Sequence, residues 1–138
     1  MIINSIRDFM RQCPLLANNR RINVDYLPNS PVEYSIDAMP SNTVVKRYTG
    51  GGAMKQFIFV FASKEYYGSD VLTNIENSGF YEDLSNWIET KSKRQELPQL
   101  SKGRESISME VLDSGYLFQA DEDMARYQMQ LRLTYYED

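Results

Sequence analysis

The chain has 138 residues, 42% of them apolar and 25% charged, with a net charge of −4 and acidic and basic residues interspersed. This suits one folded domain with a proper core; it argues against wholesale disorder and a strong DNA-binding field, and without a long apolar run neither a signal peptide nor a membrane span is expected. Histidine is absent, which removes Ser-His and Cys-His nucleophile pairs, imidazole acid–base chemistry and the common zinc ligand sets. The single cysteine, Cys13, cannot close an internal disulfide. Its apolar neighbours Ile6, Phe9, Met10, Leu15 and Leu16 predict a buried or half-buried thiol, consistent with a reducing compartment.

In chain order, Ile2, Ile3, Ile6, Phe9 and Met10 recur at helical spacing opposite Asn4, Arg7, Asp8 and Arg11, predicting an amphipathic helix that packs on its own sheet. Pro14 lacks an N–H and disfavours helix at Cys13, so the helix is expected to end near there or kink. Arg21 to Leu27 alternates as a half-exposed strand, with Ile22, Val24 and Tyr26 on one side. Pro28, Asn29, Ser30 and Pro31 end it as a turn between strands rather than as a PxxP ligand. Val32 to Met39 is a second alternating strand, closed by Pro40. Thr43 to Thr49 is a third, and it leads through Gly50, Gly51 and Gly52 into a fourth as a hairpin. The glycines do not make a phosphate loop, because no GK[ST] ending and no following helix accompany them.

The fourth strand centres on Lys55 to Ser63. Phe57, Phe59 and Phe61 point one way and Ile58, Val60 and Ala62 the other, so both faces are apolar and a sheet must surround it. Ser69 or Asp70 then caps a helix. Its residues Leu72 and Ile75 face one way, while Phe80, Leu84, Trp87 and Ile88 cluster about a quarter turn away. This predicts a kink or break near Ser78–Gly79, with Trp87 as the largest anchor of the second segment on the sheet. Thr90 to Glu105 holds five of the fifteen basic residues and reads as a solvated helix end and loop rather than a nucleic-acid patch. Ser106 to Leu112 is a strand with Ile107, Met109 and Val111 inward, and Tyr116 to Phe118 prolong it beyond a bulge or bend at Asp113–Gly115. Asp121, Glu122 and Asp123 read as turn residues, since the spaced ligands and glycine of a calcium loop are missing. Arg126 to Tyr136 alternates most cleanly, with Tyr127, Met129, Leu131, Leu133 and Tyr135 opposite Arg126, Gln128, Gln130, Arg132 and Thr134. That polar face meets solvent or another subunit.

The expected order is helix, four strands, a broken helix and two strands. It defines a single α+β domain over residues 1–138, a mostly antiparallel sheet with helices packed on one face. The segments NVDYLP (Asn23–Pro28), KQFIFVFASKEYYG (Lys55–Gly68), NIENSGFYEDLSNWIE (Asn74–Glu89) and the ending ARYQMQLRLTYYE resemble a family of phages and prophages of Gram-positive bacteria, the tail terminator proteins often labelled minor capsid proteins. The resemblance implies a structural subunit of the virion, assembled in the host cytoplasm. It would form a homo-oligomeric ring, six-membered in such a family, that caps the tail tube, stops its growth and receives the filled head. The implied partners are a second copy of the chain, the major tail tube protein and a head-completion or connector protein, with neither a membrane nor sequence-specific nucleic acid among them.

Such a family brings no active-site residues, and no catalytic, cofactor or metal site is expected. A ring requires two different patches on each subunit. The candidates are the hairpin tip, with Tyr48, Gly50, Gly51, Gly52 and Lys55, and the polar face carrying Gln128, Gln130 and Arg132. Another neck or connector protein is the alternative within virion assembly. From other classes, a small-molecule-binding domain or an enzyme using Glu65, Asp70 or Glu110 stays open, although nothing in the sequence brings those carboxylates together.

Overall fold

The computed structural model describes residues 2–16, 21–24, 33–40, 43–66, 71–113, 115–120 and 124–138. The Pro28–Pro31 turn, the Ser69 or Asp70 cap and the Asp121–Asp123 cluster lie outside the described residues. In chain order the elements are α1 (Ile2–Met10), β1 (Arg21–Val24), β2 (Glu33–Ala38), β3 (Val44–Arg47), β4 (Ala53–Tyr66), α2 (Val71–Lys93), β5 (Arg104–Val111), β6 (Tyr116–Ala120) and β7 (Met124–Glu137). The fold is α+β: among the described residues, two helices and a seven-stranded, mostly antiparallel sheet. Among the described residues no helix is long and apolar enough to cross a membrane.

β4 and β7 carry fourteen residues each and pair antiparallel along their whole length, from Ala53↔Glu137 to Tyr66↔Met124. On the other edge of β4, β2 pairs with Phe59–Ser63 and β3 with Ala53–Lys55. The free edge of β7 is shared in the same way, by β5 over Leu131–Glu137 and by β6 over Ala125–Gln128. The sheet is thus a long two-stranded ladder flanked on each side by one interrupted strand. The β5–β6 interruption falls at the bend foreseen between Asp113 and Gly115, and Leu112 N–H still reaches Gln130 O at 2.9 Å across it.

Three features depart from the sequence expectation. β1 lies parallel to β2, with Arg21↔Glu33 and Val24↔Ile36 in register, whereas a short turn would have made them antiparallel. Three strands follow α2 instead of two, because Tyr116–Ala120 forms its own ladder with β7. Finally, α2 is one uninterrupted helix of 23 residues. Ser78 and Gly79 lower helix propensity, but neither removes a backbone N–H, and a glycine costs only about 1 kcal/mol relative to alanine.

The odd-numbered face of the ladder is the core. Phe59, Phe61, Met129, Leu131 and Leu133 are fully buried there with Tyr34 and Ile36 of β2 and Met109 of β5, under Ile3, Ile6, Phe9 and Met10 of α1. Cys13 is buried beside them, and burial pushes its thiol pKa up.

The anchor of α2 on the sheet is Tyr81 rather than Trp87. Tyr81 is 1% exposed and its hydroxyl donates to Tyr127 O at 3.0 Å. The hydroxyl has a single proton, so the 2.7 Å contact to Ser63 is made by Ser63 Oγ donating to Tyr81 Oη. Its ring meets Phe61, Phe80 and Tyr127. At Gly115, between β5 and β6, an added Cβ would stand 2.3 Å from Tyr81 Cβ, so the bend passes directly over this side chain. Trp87 is half-buried between the helices, its ring 5.2 Å from Phe9 and under Lys91 Nζ.

Tyr81→Phe is expected to cost about 1–3 kcal/mol, because Ser63 Oγ and Tyr127 O lose a buried partner. Denaturant unfolding measures this; a change within error would mean that the hydroxyl does not hold the helix down. Phe59→Ala should cost about 3–5 kcal/mol, and Trp87→Ala distinctly less, since the indole is only partly buried.

Candidate functional site

The hairpin tip is a closed turn. Gly51 N–H donates to Tyr48 O and Tyr48 N–H to Gly52 O, both at 3.2 Å, which makes Thr49–Gly51 a three-residue loop with Gly51 in the left-handed region at φ 100°. Gly52 also has a positive φ, 80°, and a Cβ there would lie 2.3 Å from the Tyr136 hydroxyl. Gly52 is therefore fixed by both backbone and space. Gly50 is fixed by neither, with nothing within 4 Å of its missing Cβ. Tyr48 packs on Tyr136 with ring centroids 6.0 Å apart, and Lys46 Nζ stands over Tyr48. Tyr48 and Val45 remain 38% and 53% exposed.

Lys55 belongs to a different environment. The β4–β7 register puts it on the helix-side face, where its ammonium pairs with the Glu137 carboxylate. The same carboxylate receives Arg104 Nε at 2.7 Å. The hydrogen bond from Lys55, then that from Arg104, holds the Glu137 carboxyl below the usual carboxylate range. No interface role of Lys55 is needed to explain its place.

The opposite face of the ladder carries the polar residues of β7, and the helix residues of α1 and α2 in the core cluster are grouped with the other face. Even so, Val60 and Ala62 of β4 are 4% and 0% exposed. Charged side chains close this face instead. Arg126 of β7 reaches across β4 to Asp37 of β2, Nη2 to Oδ2 at 2.9 Å, and its Nε donates to Gln128 Oε1 at 3.0 Å. Asp37 also accepts from Ser35. Gln130 Nε2 donates to Met39 Sδ at 3.2 Å, and Arg132 pairs with Glu110 at 2.8 Å. Gln128 is consequently buried, Gln130 is engaged across the sheet, and of the three predicted residues Arg132 is the one that keeps an outward charge beside its partner.

Two elements of this surface are absent from the sequence expectation. One is the Asp37–Arg126 strap. The other is an exposed apolar patch on the β5–β6 edge, where Leu112, Leu117 and Phe118 are 39%, 41% and 56% exposed, with the Arg126 guanidinium over the Phe118 ring. A register shift between Leu117 and Gln119 marks Phe118 as a bulge residue; Leu117 lies opposite Tyr127 at the rim of the helix-side face, and Phe118 meets Arg126 on the other. The signal in the sequence is the LF pair itself, which has no polar residue between its members.

Among the described residues no group of three or more His, Cys, Asp or Glu is placed to hold a metal ion. Glu110 is committed to Arg132, and Asp70 lies outside the described residues. The chain matches no protein-family model and no curated protein.

Because Glu137 titrates below its unfolded value, its contribution is complete above about pH 4.3, the ordinary carboxylate pKa, and is lost as pH falls through the lowered folded value. Glu137→Gln should therefore flatten the acid limb of stability against pH below that point while leaving the alkaline limb unchanged. Thermal unfolding across pH 2.5–9, values chosen to bracket the carboxylate range, checks it; an unchanged acid limb would remove the ion triad from the account.

Proposed function

We propose that this chain is a ring-forming structural subunit of a phage tail: a tail terminator that caps the tail tube, ends its growth and presents the surface to which the head attaches. The reading rests on the resemblance of Asn23–Pro28, Lys55–Gly68, Asn74–Glu89 and the C-terminal strand to that family. One structural observation supports it most. Two exposed apolar patches of different composition stand at opposite ends of the rigid ladder: Val45 and Tyr48 at the hairpin tip, Leu117 and Phe118 beside the start of β7. From Tyr127, which pairs with Leu117, to Tyr136, which packs on Tyr48, is nine residues of β7, or about 30 Å at roughly 3.4 Å per residue. A closed ring uses heterologous contacts, in which one patch of each subunit meets a different patch of the next. Two separated patches on one rigid body fit that need; a two-fold dimer would require only one.

The functional role is read by genetics. Deleting the gene should leave heads that package DNA and tails of uncontrolled length that fail to join them. Deleting Gly50–Gly52 should leave a folded protein that caps tails poorly. Normal tails and infectious particles without the gene would refute the terminator reading, whereas normal capping by the loop deletion would refute only the tip as an interface. A neck or connector protein would share these surfaces but would leave tail length normal when deleted.

A further inference from the structure

Two edges of the sheet stay open, and they carry charges of opposite sign. Among the described residues β3 pairs with β4 alone. Because Tyr48 N–H donates inward to Gly52 O, the alternation of an antiparallel ladder turns the N–H and C=O of Arg47 away from β4. Val45, Lys46 and Arg47 are all exposed, and neither cation has an acidic partner among the described residues. On the other side of the ladder β5 is the outer strand. Leu112 N–H points inward to Gln130 O, and Met109 N–H points outward to Ser92 Oγ of α2. By the same alternation the N–H and C=O of Val111 face outward, where no described residue bonds to them. A cleft of about 340 Å3 lies along this edge, walled by Glu89, Ser92 and Lys93 of α2 and by Met109, Glu110 and Val111.

An open strand edge is a template for another strand, and charges on it restrict what pairs there. Here they select. β3 against β3 would bring Lys46 and Arg47 of two copies together, and β5 against β5 would do the same with Glu89 and Glu110; like charges across a strand pair are destabilising. β3 against β5 brings opposite signs together. Lys46 shares the outer face with Met54, as Glu110 does with Arg132. Arg47 lies opposite Ala53 on the helix-side face, where α2 presents Glu89. In a sheet that continues from one copy into the next, each cation therefore meets an acid on its own face. Glu110 gives Oε2 to Arg132 at 2.8 Å and keeps Oε1 for a second cation.

We propose that β3 of one copy of the chain adds as a strand to the β5 edge of the next, with the Arg47 backbone set against Val111, Lys46 paired to Glu110 and the Arg47 guanidinium to Glu89. Main-chain hydrogen bonds supply the attraction, as in other cases of strand addition, and the two ion pairs supply the choice of edge. Donor and receiver edges are different surfaces, so the contact repeats around a ring instead of stopping at a two-fold dimer. The inference rests on the ring reading above and adds to it the contact by which one copy holds the next.

Sedimentation of the purified full chain is expected to show association that grows with concentration and is lost in Arg47→Glu and in Glu89→Lys separately. The double variant carries the swapped pair and should regain it. Both residues are exposed, so the variants keep the fold, which thermal unfolding checks. Carbodiimide treatment of mixed isotope-labelled and unlabelled chains should join Lys46 Nζ to the Glu110 carboxyl between chains, a direct amide that only touching groups form. The backbone part is read by amide hydrogen exchange: the N–H groups of Arg47 and Val111 should gain protection on association of the wild type and not in Arg47→Glu. Monomers at the highest soluble concentration, a double variant that stays apart, or association without protection of these two amides would overturn the proposal. Such a failure together with tails of uncontrolled length in the gene deletion overturns this contact alone. Association as described together with normal tails in the deletion supports the contact and overturns the terminator role.

Discussion

The whole fold hangs on the β4–β7 ladder. Fourteen consecutive cross-strand pairs fix two 14-residue strands in one register, and a slip of a single residue would set Phe59 and Phe61 on the opposite face from Met129 and Leu131, so that one of the two apolar sets left the core. β2 and β3 attach to the outer edge of β4, β5 and β6 to that of β7, and β1 to β2, so each edge of the pair is filled by a strand that is interrupted once. Length explains the interruptions: fourteen residues of strand span about 45 Å and accumulate twist, so a single flanking strand would have to follow that twist over its whole course. A bulge or break relieves it, and register shifts occur in β3, β5 and β6 alike.

How much of this was legible follows from where each signal resides. The buried set of β7 is stated outright by its alternation, and all five predicted residues are 4% exposed or less. The double-sided apolar run of β4 shows its central place, and the hairpin follows from glycine chemistry. Strand direction is another matter. Four residues of β1 cannot say whether they run with or against β2, because the chain that joins them decides it. The anchor of α2 was misassigned for a related reason. Trp87 is the larger apolar residue, but Tyr81, Leu84 and Ile88 share the spacing i, i+3, i+7, and tyrosine takes the central place because Ser63 and the Tyr127 carbonyl satisfy its hydroxyl. Those partners lie 18 and 46 residues away, beyond the reach of any local pattern.

The outer face shows the same limit from the opposite side. Read alone, Arg126, Gln128, Gln130 and Arg132 are a solvent face or an interface. In the fold, Arg126 and Asp37, 89 residues apart, close over Val60 and Ala62 and take the place of a covering layer. A half-exposed ion pair of this kind adds little stability by itself. What it contributes is a link from β7 across β4 to β2, and a long arginine stem so held can shield small apolar side chains from water.

That economy gives weight to what remains uncovered. The chain uses charged side chains to close the outer face of the ladder, and it takes the N–H of Met109 on the outer strand β5 with Ser92 Oγ of α2 at 3.0 Å, which removes a donor from an otherwise open sheet edge. Apolar surface and backbone groups are covered where local means suffice. Against that background the bulge at Phe118 is costly: a regular strand would have turned the ring inward or replaced it with a polar residue, and bulges are how sheets re-aim side chains. Leu117 and Phe118 contribute little to the core, and neither do Val45 and Tyr48 at the far end of the ladder. Residues that the fold neither needs nor hides are the ones free to be shaped by a partner, and these lie near the two ends of the β4–β7 ladder.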